Sequence, residues 1–364
     1  MTTRMTNLLR ELKSNDMDSI LVTSTANFYY LSNYYTDPHE RIIALWISND
    51  IDPVMLLPAM EVEDAKNAGW NYEIIGYGDH ENPWKKLSKY LDKNEKTPAT
   101  LGIEEDHLTL ERYHAIEQIL PNNKLLHAKE VLANLRVIKT KEEYKLLKEA
   151  AALADFGIKK GIESVTEGIS ELEIIAKIEY ELKKQGVQTM SFPTMVLSGA
   201  KTASPHGSPS SKKIQSGDMI MFDLGVVHEG YCSDITRTIG FGSITEEQEA
   251  IYHTVLKAEN AAIEAATVDN SVGNLDQTAR NIIEEAGYGQ YFTHRIGHGL
   301  GIETHEYPSM HSKNPLPIEA GMSFTIEPGI YVPNTGGVRI EDMIFTTEDG
   351  PRILTQYPKD LFIK

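Results

Sequence analysis

Cysteine is almost absent: Cys232 stands alone in 364 residues, so no disulfide can form within the chain and a reducing compartment is expected. Long apolar runs are missing as well. No stretch approaches the ~18 residues a membrane-spanning helix requires, and the polar N-terminal segment lacks the apolar core of a secretory signal. Positive charge is in deficit, with 35 Lys and Arg against 53 Asp and Glu and a net charge of −18. A nucleic-acid groove or an anionic membrane needs clustered positive charge, so neither is expected as main partner. What is present is ordinary for a folded protein, 41% hydrophobic and 24% charged, and disorder is not the default. The length fits two domains at ~150 residues each, and the cytoplasm is the expected location.

The first third alternates short β-branched or aromatic runs with amphipathic stretches. Residues 19–24, 41–48, 53–57, 72–77 and 99–103 read as strands, and 6–14, 60–68, 83–91 and 108–119 as helices. That alternation predicts an α/β layer domain over 1–135. It carries no Gly-rich phosphate loop and no tight cluster of His, Asp and Glu; His39, His80, His107, His114 and His127 are dispersed. Its aromatic run, Phe28 to Tyr35, fits an interface or a cleft wall, with the domain's own core as the alternative.

Residues 136–364 differ. Capping boxes at Thr140/Glu143, Ser170/Glu173 and Thr245/Gln248 open helices expected over 141–162, 171–185 and 246–266, and a fourth covers 275–286. Strands are expected over 190–197, 219–227, 231–239, 322–332 and 338–346. The order is helix pair, hairpin, helix pair, hairpin.

Both hairpins carry paired carboxylates. With the first turn centred between His228 and Glu229, Asp223 faces Asp234 across the ladder, Cβ atoms roughly 5 Å apart. Like charges so placed are destabilising and call for a cation or a shared proton. Glu327 and Glu341 are symmetric about Asn334 and can meet likewise, allowing a bulge at Pro328-Gly329. Between the hairpins lies His294-Arg-Ile-Gly-His298-Gly-Leu-Gly-Ile-Glu-Thr-His305, whose three glycines rule out a stable helix and admit close backbone approach. Four carboxylates and one imidazole exceed the needs of one cation and suit two bridged divalent ions, Mn²⁺ by oxygen preference, with Co²⁺ or Zn²⁺ as substitutes.

In those contexts (Asp-x-Gly, Ser-Asp-x-Thr-Arg, Gly-His-Gly-x-Gly, Glu-Pro-Gly and Arg-Ile-Glu-Asp) the five residues Asp223, Asp234, His298, Glu327 and Glu341 resemble the pita-bread metallopeptidases, the family of methionine aminopeptidase, Xaa-Pro aminopeptidase and Xaa-Pro dipeptidase. The resemblance implies an α+β architecture, a C-terminal pita-bread domain behind a smaller creatinase-like N-terminal α/β domain, assembled as a homodimer. It implies that Asp223 holds one metal, Asp234 and Glu341 bridge two, and His298 and Glu327 complete the second. It makes His206 and His305 substrate- and intermediate-contacting groups, Glu327 the proton relay, and Thr236 and Arg339 supports for the ligands.

The reaction implied is hydrolysis, by water activated between two ions, of short proline-containing peptides. A domain of ~130 residues ahead of the catalytic one points to the proline-directed branch. Creatinase and non-catalytic binding members lack the complete ligand set found here. An Xaa-Pro dipeptidase is the expectation and an Xaa-Pro aminopeptidase the alternative, because the arginine some dipeptidases carry shortly after the residue matching His305 has no counterpart in Glu306–Met310.

Overall fold

A computed structural model describes residues 3–94 and 97–364. They divide into two compact units, Met1–Arg136 and Val137–Lys364.

The first unit is built on a six-stranded mixed sheet, in the spatial order Glu73–Tyr77, Val54–Pro58, Ala44–Ser48, Ser19–Val22, Thr100–Ile103, Lys124–His127. Ser19–Val22 runs antiparallel to Ala44–Ser48 and parallel to Thr100–Ile103. The central strands are buried along their whole length, as expected where a sheet is covered on both faces. For Phe28 to Tyr35, burial favours the core alternative over an interface or cleft wall. Ser24 caps a helix over Thr25–Ser32, and Phe28, Tyr30, Leu31 and Tyr34 are buried, with Tyr29 half-buried and Tyr35 exposed. A short helix that is apolar on most sides is a buried helix.

In the second unit all three capping boxes form as read. Helices Lys141–Ser164 and Glu171–Lys184 pack on a sheet ordered Ile235–Gly240, Met219–Leu224, Met195–Ser198. Helices Glu246–Ala265 and Val272–Glu285 share a core with a second sheet, ordered Glu306–Met310, Gly297–Gly299, Ser323–Ile326, Asp342–Thr347, Gly350–Ile353. The expected strand over 190–197 is two, Thr189–Met190 and Met195–Ser198, parted by a segment containing Pro193, which has no N–H to give a ladder. A bridge joins Thr236, on an edge strand of the first sheet, to Glu341, just ahead of Asp342–Thr347 in the second.

The first hairpin departs from its expected register. Asp223 pairs with Thr236, not Asp234, and His228 pairs with Tyr231. The turn is therefore Glu229-Gly230, with φ of 47° and 80°, the doubly left-handed turn that matches the twist of paired strands. Gly230 tolerates this without cost, and Glu229 is carried with it. The slip is two residues, so side-chain parity is kept and Asp234 stays on the face of Asp223, one diagonal step away. In the second hairpin, Gly329 pairs with Arg339 and Ile326 with Asp342, so a single register runs through both ladders. Glu327 and Glu341 lie opposite each other in the gap between them.

Candidate metal centre

The five residues converge from four segments. Asp223 comes from Met219–Leu224, Asp234 from the approach to Ile235–Gly240, His298 from Gly297–Gly299, and Glu327 and Glu341 from the interrupted hairpin. The glycines beside His298 admit its neighbours: a Cβ on Gly297 would fall 2.0 Å from the Thr325 carbonyl oxygen, and one on Gly299 2.2 Å from that of Tyr307.

His298 is 2% exposed and its Nδ1 lies 3.1 Å from the Gly299 carbonyl, which assigns the proton to Nδ1 and leaves Nε2 as a lone pair. That lone pair faces Asp234 Oδ2 at 3.6 Å and Glu327 Oε1 at 3.5 Å. Burial, then the neighbouring His305, pushes the His298 pKa down to about 3, so the ring is neutral at pH 7. A neutral lone pair aimed at two carboxylates is repelled unless a cation or a proton lies between them.

The carboxylates show the same frustration. Burial, then the charge of neighbouring carboxylates, drives both Asp234 (beside Glu341, Asp223 and Glu327) and Glu341 (beside Glu327 and Asp223) well above the usual carboxylate range. Glu327 is pushed by burial to about 7, and Asp223 is raised by burial against the pull of Arg339. Asp223 Oδ1 is buried without a hydrogen-bond partner. Among the described residues, ligand atoms of Asp234, His298 and Glu341 lie within 4.8 Å of one another; Asp223 and Glu327 border this core. Oxygen donors, one imidazole lone pair and an orphaned buried carboxylate oxygen fit hard divalent ions.

Thr236 and Arg339 occupy the supporting places read from the sequence. Thr236 Oγ1 donates to Glu341 Oε2 at 2.6 Å and accepts from Arg339 Nε at 3.0 Å. Arg339 Nη2 reaches Asp223 Oδ2 at 2.5 Å, and Nη1 donates to Tyr331 Oη at 3.2 Å. Tyr331 in turn lies 2.8 Å from His294 Nε2. Sequence reasoning missed Tyr331 and the electrostatic part of Arg295, which lowers the pKa of both Glu327 and His305; neither stands in a pattern that marks it. His305 is exposed, its ring 4.1 Å from that of His298. His206 is on an exposed loop, within electrostatic reach of Asp223 and His305.

A buried carboxylate–imidazole centre between two helix-backed sheets is a candidate metal-binding site, and the comparisons with known proteins say to which class it belongs. Residues 145–348 match metallopeptidase family M24 and residues 4–138 the creatinase/prolidase N-terminal domain. The chain belongs to metallopeptidase family M24, and its fold is the pita-bread domain behind a creatinase-like one. It is 51% identical over 97% of both chains to YkvY of Bacillus subtilis, provisionally named a dipeptidase. The Xaa-Pro dipeptidase of Bacillus anthracis superposes with a TM-score of 0.92 at 34% identity, covering 99% of each chain. The prolidase of Pyrococcus horikoshii does so with 0.91 at 35%, covering 99% of this chain and all of that one.

Proposed function

We propose that this protein hydrolyses the peptide bond before proline in dipeptides, at a dinuclear centre held by Asp223, Asp234, His298, Glu327 and Glu341, with Mn²⁺ as the preferred ion. The observation that carries the reading is the His298 lone pair facing two carboxylates, of Asp234 and Glu327, within 3.6 Å. Two divalent ions at such a site lower the pKa of water from about 15.7 toward ~7 and polarise the scissile carbonyl. The protein's own part is to position and move protons. Glu327 accepts a proton from the attacking water and returns it to the leaving nitrogen. The proline nitrogen is a tertiary amide and must gain that proton to depart as a secondary amine. His305 and His206 orient the carbonyl and the charge that develops on its oxygen.

Kinetics on Ala-Pro, Ala-Pro-Ala and longer Xaa-Pro peptides with Mn²⁺ test this. Cleavage of the dipeptide alone is expected. Cleavage of the longer peptides would make the protein an Xaa-Pro aminopeptidase, and an inert panel with no bound metal would make it a binding protein.

The ligand set also sets a pH dependence. Glu327 has a folded pKa raised from 4.5 to about 7, so the folded state binds more protons than the unfolded one between those values. His298, lowered from 6.5 to about 3, works the other way below 6.5, so stability of metal-free protein should fall as pH rises from about 6.5 through 7. Mn²⁺ replaces the protons and should abolish the fall. Thermal midpoints from pH 5 to 8, in EDTA and in Mn²⁺, check this; parallel curves would contradict it.

A further inference from the structure

His305 stands on a segment with little regular structure, between the strands Gly297–Gly299 and Glu306–Met310, whose ladder shifts register between His298 and Gly299. The stretch before His305, up to Thr304 itself, is tied down through backbone carbonyls. The Cys232 N–H donates to the Gly301 carbonyl at 2.7 Å, the Cys232 thiol to that of Ile302 at 3.3 Å, and Thr304 Oγ1 to that of Ser191 at 3.3 Å.

The far end is held differently. Glu306 turns inward: its Oε1 accepts from the Glu303 N–H at 2.9 Å, and its Oε2 lies 3.4 Å from Lys139 Nζ, the side chains only 5% and 2% exposed. A Cβ on Gly301 would fall 2.7 Å from Glu306 Oε2, so the carboxylate rests on the loop's own backbone and closes it on itself. Lys139 is anchored in turn, its N–H donating to the Gly321 carbonyl at 2.8 Å beside the bridge between Ile138 and Met322. The residue before Glu306 is His305. A buried ion pair of this kind adds little net stability, because desolvation offsets the attraction. What it supplies is a fixed position, and here it fixes the end of the loop that bears a reacting-group histidine.

We propose that Lys139, acting through Glu306, is a positioning residue that sets the place of the His305 ring; the proposal rests on the peptidase reading above. A misplacement of about 1 Å at a catalytic group can cost ~10²-fold. Lys139→Met and Glu306→Gln are expected to lower kcat at least about tenfold, with KM for Ala-Pro and Mn²⁺ stoichiometry unchanged and with Lys139→Arg restoring most of the rate. Because a single replacement removes only one charge of the pair, Lys139→Met/Glu306→Gln removes both and should show the same loss.

A double-mutant cycle with His305→Ala separates positioning from general damage. Once His305 is gone, Lys139→Met should cost nothing further; an equal loss with and without His305, or no loss at all, overturns the proposal. The ring resonances of His305 in NMR give a readout independent of activity. They should shift or broaden in Lys139→Met while those of His294 hold, and an unmoved His305 signal overturns the proposal. Should His305→Ala alone leave kcat intact, the catalytic reading of His305 fails, and the ring resonances still decide the positioning claim.

Discussion

Asp234→Ala, and separately Glu341→Ala, should reduce Xaa-Pro hydrolysis to background and lower the bound metal below two ions per chain. Both carboxylates are buried, at 5% and 2% exposure, and both belong to the group whose ligand atoms crowd within 4.8 Å. If each is shared by two ions, its loss removes attraction from both. The accompanying stability measurement separates this from misfolding. In metal-free protein these carboxylates repel each other, so the metal-free variants should melt no lower than the metal-free parent. An Asp234→Ala protein with full activity would show that the residue is not a ligand of the working centre.

His305→Ala and His206→Ala should behave in the opposite way toward metal. Neither histidine is in the buried ligand group; both are exposed. Each replacement should keep both ions and the fold while lowering kcat by roughly 10²–10³-fold, the scale of losing one group that stabilises the developing oxyanion. His298→Ala should lose metal as well as rate, since its Nε2 is the lone pair aimed into the carboxylates. Metal analysis and steady-state kinetics on the three proteins decide it. Equal metal content in all three would erase the distinction between ligand and catalytic histidines.

The second hairpin was legible because its symmetry is written twice: Glu327 and Glu341 are equidistant from Asn334, and the ladders on both sides obey the same register. The first was legible only to within two residues. His228-Glu229-Gly230 offers two dipeptides as the turn, and which one is used depends on Glu229 accepting a φ of 47°, an unusual conformation for that residue. Parity survived the slip because side chains alternate with period two, so the pairing was misplaced while the shared face was not. The Phe28 to Tyr35 run left core and interface both open for a related reason: without an amphipathic period, composition alone does not say which element covers it. Arg339 was readable as a neighbour of Glu341, but its 2.5 Å contact with Asp223 spans 116 positions. The same holds for Lys139 and Glu306, 167 positions apart, which lack any local pattern linking them.

The central claim is that two divalent ions, held by these carboxylates and His298, carry the peptidase activity. Its most direct test is titration of metal-free protein with Mn²⁺, following bound metal by elemental analysis and Ala-Pro hydrolysis in the same samples. The account predicts saturation at two ions per chain, with full activity only when both are bound. Full activity at one ion per chain or at none would contradict it.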